Sequence, residues 1–303
     1  MADPLIPNFE TTNGDYHHAN GHDGGDPQIS WPLDRPEEKG NWTPKGDATL
    51  PRNTTASPPP LVVFDELLPG HKRSQSGIGL RAFFLGITLG LSIPLAANAA
   101  LSLEASDPSR AWRVFFLLGA LALFHFLEFW THARFNVPKA TTSTFLLFNN
   151  GWQYTVANFC ALLETTVTSL FFPRWQSHFT YEPVQWGALV VMAIGQLCRS
   201  MAMAHAGTSF NHKVQTKKAR DHRLVTTGIY AVLRHPSYFG FFWWAVGLQV
   251  FLGNAICFWV YLVVLWDFFN HRIAHEEEHL VKFFGDDYVQ YRLRTWIGIP
   301  FIR

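Results

Sequence analysis

From about residue 77 onward, apolar runs some twenty residues long and nearly free of charge recur along this chain, and they restrict its fold more than any other feature. Roughly 20 apolar residues in a helix match the ~30 Å hydrocarbon core of a bilayer. A helix is also the form in which one segment satisfies its own backbone there. Spans are expected at about 77–102, 112–131, 147–172 and 184–206, then a helical hairpin with arms near 238–252 and 255–271. Gly253-Asn254 supplies the turn between the arms. The expected fold is all-α: a polytopic membrane protein of about six transmembrane helices, ending in a helical hairpin.

The mean hydropathy of +0.03 averages two unlike parts. Residues 1–76 are rich in Pro, Gly, Asn, Asp and Thr. Such a segment cannot bury enough apolar surface to offset its ordering entropy, so a disordered cytosolic tail is expected there. Residues 77–303 carry nearly all the Phe and Trp and form the membrane domain. The net charge of +1 gives no reason to expect nucleic acid as a partner. Cys160, Cys198 and Cys257 lie in apolar runs without CxxC spacing and read as small reduced core residues. No metal site is expected: His17, His18 and His22 sit in the tail without ligand spacing. The chain opens without a basic-then-apolar pattern, so no cleavable signal peptide is expected, and Pro300-Phe301-Ile302-Arg303 carries no lipidation motif.

Basic residues set the orientation. His71, Lys72 and Arg73 precede the first span, Arg134 and Lys139 follow the second, and Lys213, Lys217, Lys218, Arg220 and Arg223 follow the fourth. An excess of Lys and Arg marks cytoplasmic loops. Six crossings then put these clusters and both termini in the cytosol. The glycosylation matches at Asn41 and Asn53 would be idle on that side. Arg110, Arg113 and Arg174 fall on the outer side, against the trend.

Two polar clusters bracket the hairpin: Arg234-His235-Pro236-Ser237-Tyr238 at its entry and Arg272-Ile273-Ala274-His275-Glu276-Glu277 at its exit. A hairpin returns to the side it left, so the two clusters meet. Pro236 suits a first helical turn, with extended His235 before it. The amide donors of that helix start then face a polar or anionic ligand. Arg272 and Glu276, four residues apart, share a helix face. Either cluster alone reads equally as an interfacial anchor or a surface ion pair; together they read as a pocket. His125, Glu128 and Glu164 are ionisable groups at membrane depth, where a cavity or a partner is the rule.

The region from about Ala206 to the C-terminus resembles the isoprenylcysteine carboxyl methyltransferases. The matching text is Gly207-Thr208-Ser209-Phe210-Asn211-His212, the run from Asp221 to Tyr230, and the Arg-His-Pro-Ser-Tyr pentad. It continues through Gly240-Phe241-Phe242-Trp243-Trp244, Arg272-Ile273, Glu276-Glu277, Phe284-Gly285-Asp286-Asp287-Tyr288 and Gly298 to Ile302. The resemblance implies methyl transfer from S-adenosylmethionine to the C-terminal carboxylate of a farnesylated or geranylgeranylated cysteine, at the endoplasmic reticulum membrane. It implies a cytosol-facing cofactor pocket within about 206–303, made from Gly207, Val214, Gln215, Thr216, Lys217, His222, His235, Pro236, Ser237, Tyr238 and Glu276. It implies that Arg272 holds the substrate carboxylate and that Arg272 and Glu276 are the catalytic pair. Tyr238, Trp243 and Trp244 offer aromatic faces to a cationic sulfonium or an adenine. Glu164 is expected to line a lateral route for the prenyl chain. The alternatives are a sterol reductase-like membrane oxidoreductase and a non-catalytic lipid-binding membrane protein.

Overall fold

A computed structural model of the chain describes residues 66–101, 111–147, 150–218 and 222–303. The tail up to residue 65, with its histidines and glycosylation matches, lies outside the described residues, as do Arg110 and Arg220. The described residues form eight α-helices: α1 Gln75–Leu101, α2 Trp112–Phe135, α3 Trp152–Phe171, the short α4 Pro173–Ser177, α5 Glu182–Ala206, α6 Pro236–Leu252, α7 Ala255–Phe284 and α8 Asp286–Arg294. The 3-10 turns Val137–Lys139, Thr142–Phe145, Gly207–Ser209 and Gly228–Ala231 connect them.

Four of these helices, α1, α2, α5 and α7, are long and apolar enough to cross a membrane. Helices α3 and α6 occupy the other two expected spans, with 20 and 17 residues. Phe83, Phe159, Leu197, Trp259 and Val263 project outward, each more than half exposed, as a lipid-facing surface requires. The third span begins later than its apolar run, because Gly151 at φ 85° breaks the chain ahead of Trp152. Helix α7 runs thirteen residues past the expected end of its arm, carrying Arg272, Glu276 and Glu277 on one continuous helix.

Helix α6 is the axis of the bundle: Phe242, Trp244, Ala245, Val246, Leu248 and Leu252 are all buried. That is why its sequence is apolar on every face. One side packs on Leu117, Phe124, Ala188 and Met192 from α2 and α5. The other packs on Phe269 and Ile273 of α7 and on Ile297, Ile299 and Ile302 of the C-terminal segment. Helices α5 and α6 touch backbone to backbone. A Cβ on Gly195 would lie 2.6 Å from the Gly240 carbonyl oxygen, and one on Gly240 would lie 2.5 Å from the Gly195 carbonyl oxygen. In a bilayer helices associate largely through such close packing, which small residues permit.

The far end of the hairpin is pinned by buried polar groups. Gly253, at φ 72°, turns the chain where a Cβ would lie 2.4 Å from Thr180. Asn254 Nδ2 donates to Thr165 Oγ1 and Gln249 Oε1, both at 2.9 Å. Glu164 of α3 accepts from the amides of Ile256 (2.8 Å) and Cys257 (2.7 Å). These are orphan donors in the first turn of α7, and a carboxylate there both satisfies them and complements the helix dipole. Glu164 is thus a helix cap supplied by a neighbouring helix, a role that its expected place along a substrate route did not foresee. Cys160 is exposed and only Cys257 is buried, so the expectation of three core cysteines is also corrected.

Candidate functional site

The end of the hairpin opposite Gly253 is built around the start of α6. Pro236 occupies its first turn and His235 holds φ −124° ahead of it. Arg234 is buried and immobilised: Nε donates to Glu277 Oε1 at 2.7 Å and Nη1 to the Thr295 carbonyl at 2.8 Å. His235 Nε2 lies 3.2 Å from the same Glu277 oxygen. A carboxylate only accepts, so that nitrogen carries a proton, while Nδ1 lies 3.8 Å from Glu276 Oε2. The His235 ring stacks on Tyr238, with centroids 5.5 Å apart and planes at 10°.

Tyr238 joins the two clusters. Its hydroxyl donates to Glu276 Oε2 at 2.7 Å and accepts from Arg272 Nε at 2.9 Å. Arg272 Nη2 donates to the His212 carbonyl, and the guanidinium lies 5.4 Å from the centroid of the Tyr238 ring. Among the described residues Nη1 of Arg272 has no hydrogen bond, so one prong of the guanidinium remains for an incoming carboxylate. Beneath this layer Glu128 of α2, fully buried, pairs with Arg199 of α5. Arg199 Nη1 then donates to the carbonyl and hydroxyl oxygens of Ser237, both at 3.1 Å. Burial, with the cations Arg199 and Arg272 nearby, lowers the pKa of His212 to about 3, so its ring is neutral at pH 7.

These elements enclose an open cleft of about 140 Å³, continuous with solvent. His222, His235, Pro236, Ser237, Tyr238 and Glu276 line it, and all six were expected at a cofactor pocket. Gln215 lines a smaller lobe that shares His222 and Glu276 with the main cleft. Gly207 ends α5 at φ 50°, between the lining residues Ala206 and Ser209, without reaching the wall. Val214, Thr216 and Lys217 line neither lobe. Arg272 lines neither lobe; its guanidinium lies 5.6 Å from the ring centroid of half-exposed Phe268.

Trp243 and Trp244 are not in the cleft. Trp243 Nε1 donates to the Gly298 carbonyl, and Trp244 stacks on Phe124 in the core. Reading the sequence missed Arg199, Tyr230, Tyr288 and Tyr291, which also line the cleft. Arg199 carried a signal of its own, a lone arginine within an apolar span. Tyr230 and Tyr288 carried none beyond a place in the resembling text, and Tyr291 carried none.

With the geometry in view, comparison with known proteins is specific. The profile of the isoprenylcysteine carboxyl methyltransferase family matches residues 188–282, from within α5 to near the end of α7. Protein-S-isoprenylcysteine O-methyltransferase of Saccharomyces cerevisiae is 40% identical over 230 residues, spanning 74% of this chain and 91% of the yeast protein. The chain belongs to the isoprenylcysteine carboxyl methyltransferase family. The Schizosaccharomyces pombe protein of the same name is 45% identical over 192 residues (60% of this chain, 81% of that one), and the Homo sapiens protein 38% over 237 (78% and 79%). A solved structure of the eukaryotic intramembrane Ras methyltransferase of this family superposes with a TM-score of 0.68 at 34% identity, covering 79% of this chain and 81% of that one. The chain is therefore a multi-pass intramembrane enzyme with isoprenylcysteine carboxyl methyltransferase activity. The reductase and non-catalytic alternatives fall away.

Proposed function

We propose that this methyltransferase takes its methyl group from S-adenosylmethionine and esterifies the α-carboxylate of a farnesylated or geranylgeranylated C-terminal cysteine, at the cytosolic face of the endoplasmic reticulum membrane. The arrangement that carries the proposal is the Tyr238 hydroxyl, hydrogen-bonded at once to Glu276 on the cleft side and to Arg272 on the outer side. The cleft suits the cofactor chemically. Glu276 and the half-polar wall of His222, Ser237 and Tyr238 match a cationic, hydroxyl-rich ligand, and the stacked His235–Tyr238 pair offers an aromatic face. Among the described residues, the Tyr288 hydroxyl is buried at the wall without a hydrogen-bond partner. A buried polar atom of that kind calls for one.

When bound, the cofactor supplies an electrophilic methyl group on a sulfonium. The residues of this chain then have to align and desolvate. A substrate carboxylate, with an ordinary pKa near ~4, is already ionised at neutral pH, so no general base is required. Arg272 orients it through a charge-assisted hydrogen bond. Tyr238 fixes Arg272 in turn, and alignment of this kind supplies about 7–11 kcal/mol in well-oriented systems. Neutral His212 keeps a competing positive charge away from the carboxylate site.

Six crossings, α1, α2, α3, α5, α6 and α7, put the cleft on the side of the basic clusters, hence in the cytosol. Lifting a farnesyl chain wholly into water would cost on the order of 10 kcal/mol. Approach from the bilayer on the Arg272–Phe268 side avoids this. The test is equilibrium binding of S-adenosylmethionine to the purified protein in lipid nanodiscs. Glu276→Ala should weaken it at least about tenfold, the worth of one charge-assisted contact. Unchanged affinity would remove Glu276 from the cofactor site.

A further inference from the structure

We propose that the C-terminal segment 295–303 is a membrane-interface anchor whose Phe301 inserts at the headgroup–acyl boundary beside the active site, with Trp296 and Leu293 of α8 above it among the headgroups. The segment is an irregular strap with two faces. Ile297, Ile299 and Ile302 are buried against Phe242, Val246, Phe269 and Ile273 of α6 and α7. On the outside Trp296 is 76% exposed, Leu293 74% and Phe301 91%. Phe301 adopts φ 64°, a left-handed conformation that is costly for a bulky residue and here accompanies a ring turned outward. Arg294 and Arg303, both exposed, flank this apolar face.

Its depth is fixed by two tryptophans on the hairpin. Trp243 Nε1 donates to the Gly298 carbonyl at 3.0 Å, and Trp266 Nε1 to the Pro300 carbonyl at 2.8 Å. Trp266 precedes Arg272 by six residues, so the Pro300 end of the strap reaches roughly 9 Å further along the helix axis toward the bilayer than Arg272 does. Trp296, whose carbonyl accepts from the Arg234 amide, stays at the level of the site. At that level the outside of α7 changes character. Asp267 and His271 are exposed and paired at 3.3 Å, whereas Val260, Val263 and Val264 on the bilayer side of them are exposed and apolar. This change marks the boundary between headgroups and acyl chains, and the end of the strap lies on it.

The backbone of the strap also suits that environment. The carbonyls of Thr295, Trp296, Gly298, Ile299 and Pro300 all accept hydrogen bonds from the protein, and Pro300 has no amide to satisfy. Irregular backbone at membrane depth requires such internal partners. Aromatic rings at the interface with arginines reaching phosphates form the usual anchoring pattern. The occupant of this face is therefore the lipid of the leaflet on the active-site side. The anchor also reaches the site, because Arg234 bonds both the Thr295 carbonyl and Glu277.

The test uses the full chain in vesicles of phosphatidylcholine brominated at the 6,7 positions of the acyl chain. The tryptophan emission gained on Phe301→Trp isolates the signal of that position. We expect that difference signal to be blue-shifted, quenched by more than half by the brominated lipid, and shielded from aqueous iodide. Iodide quenching without bromolipid quenching would overturn the proposal in favour of a solvent-exposed strap. Shielding from both would overturn it in favour of a protein covering this face. A Phe301→Cys variant carrying an environment-sensitive fluorophore provides a second reporter, should Phe301→Trp disturb the fold.

Discussion

Tyr238 is the residue on which the two halves of the site depend. One hydroxyl serves Glu276 and Arg272, so Tyr238→Phe leaves a carboxylate and a guanidinium each short of a partner. Losing hydrogen bonds to charged groups costs about 1.5–3 kcal/mol each, so kcat/KM should fall roughly 10- to 100-fold. Arg272→Lys should fare little better than Arg272→Ala with the prenylated substrate, since an ammonium cannot reproduce the fixed fork of a guanidinium. Substrate titrations at saturating S-adenosylmethionine measure both effects, and full rescue by lysine would contradict the orienting role. His212 predicts an acid sensitivity. Folded, it resists protonation until about pH 3, while in the unfolded chain it titrates near its ordinary 6.5. Its contribution to stability is thus complete above about pH 6.5 and is lost as pH falls toward 3, reaching about 2 kcal/mol by pH 5. His212→Gln should flatten the loss of unfolding free energy between pH 6.5 and 5 by up to that amount. Most of this layer could not be read in advance. Arg272 and Glu276 were legible because four-residue spacing on a helix is a local property. The pairing of Glu128 with Arg199, 71 residues apart, depends on how α2 and α5 pack.

Helix ends follow from local signals, and helix contacts do not. Pro236 and Gly253 delimit α6 where turn chemistry places them, and the expected hairpin arms coincide with α6 and the first part of α7. Membrane depth alone suggested a substrate route for Glu164, but the amides of Ile256 and Cys257 claim its carboxylate. Glu164→Ala should therefore destabilise the protein by about 1–2 kcal/mol, as lost caps do, and leave KM for the prenylated substrate unchanged. Thermal unfolding in nanodiscs beside substrate titration separates the two. A raised KM with unaltered unfolding would return Glu164 to the route. Gly240→Ala tests the contact of α5 with α6, where the added methyl group meets backbone that cannot rotate away. Overpacking costs about 1–3 kcal/mol even where side chains can adjust, so this variant should lie at or beyond the upper end. It should also shift Arg199, whose Cβ is 2.8 Å from the position of that methyl group, and weaken activity in parallel.

The described residues of the membrane domain form a hairpin held inside a helical bundle, with its polar ends gathered at one site and its turn pinned at the other. The apolar runs announced the bundle, and the two clusters announced the site. What they could not announce is that a single tyrosine joins Glu276 to Arg272, the contact on which the proposed division into cofactor and substrate sides rests, since it forms only when α6 and α7 stand side by side. The most direct test is transfer of labelled methyl from S-adenosylmethionine to N-acetyl-S-farnesyl-cysteine by the purified enzyme in nanodiscs, wild type beside Arg272→Ala and Glu276→Ala. The wild type should form a base-labile methyl ester. Arg272→Ala should chiefly lose use of the farnesylated substrate, and Glu276→Ala should chiefly raise the requirement for S-adenosylmethionine. An absence of ester from folded wild-type protein, or the same kinetic defect in both variants, would contradict a site divided at Tyr238.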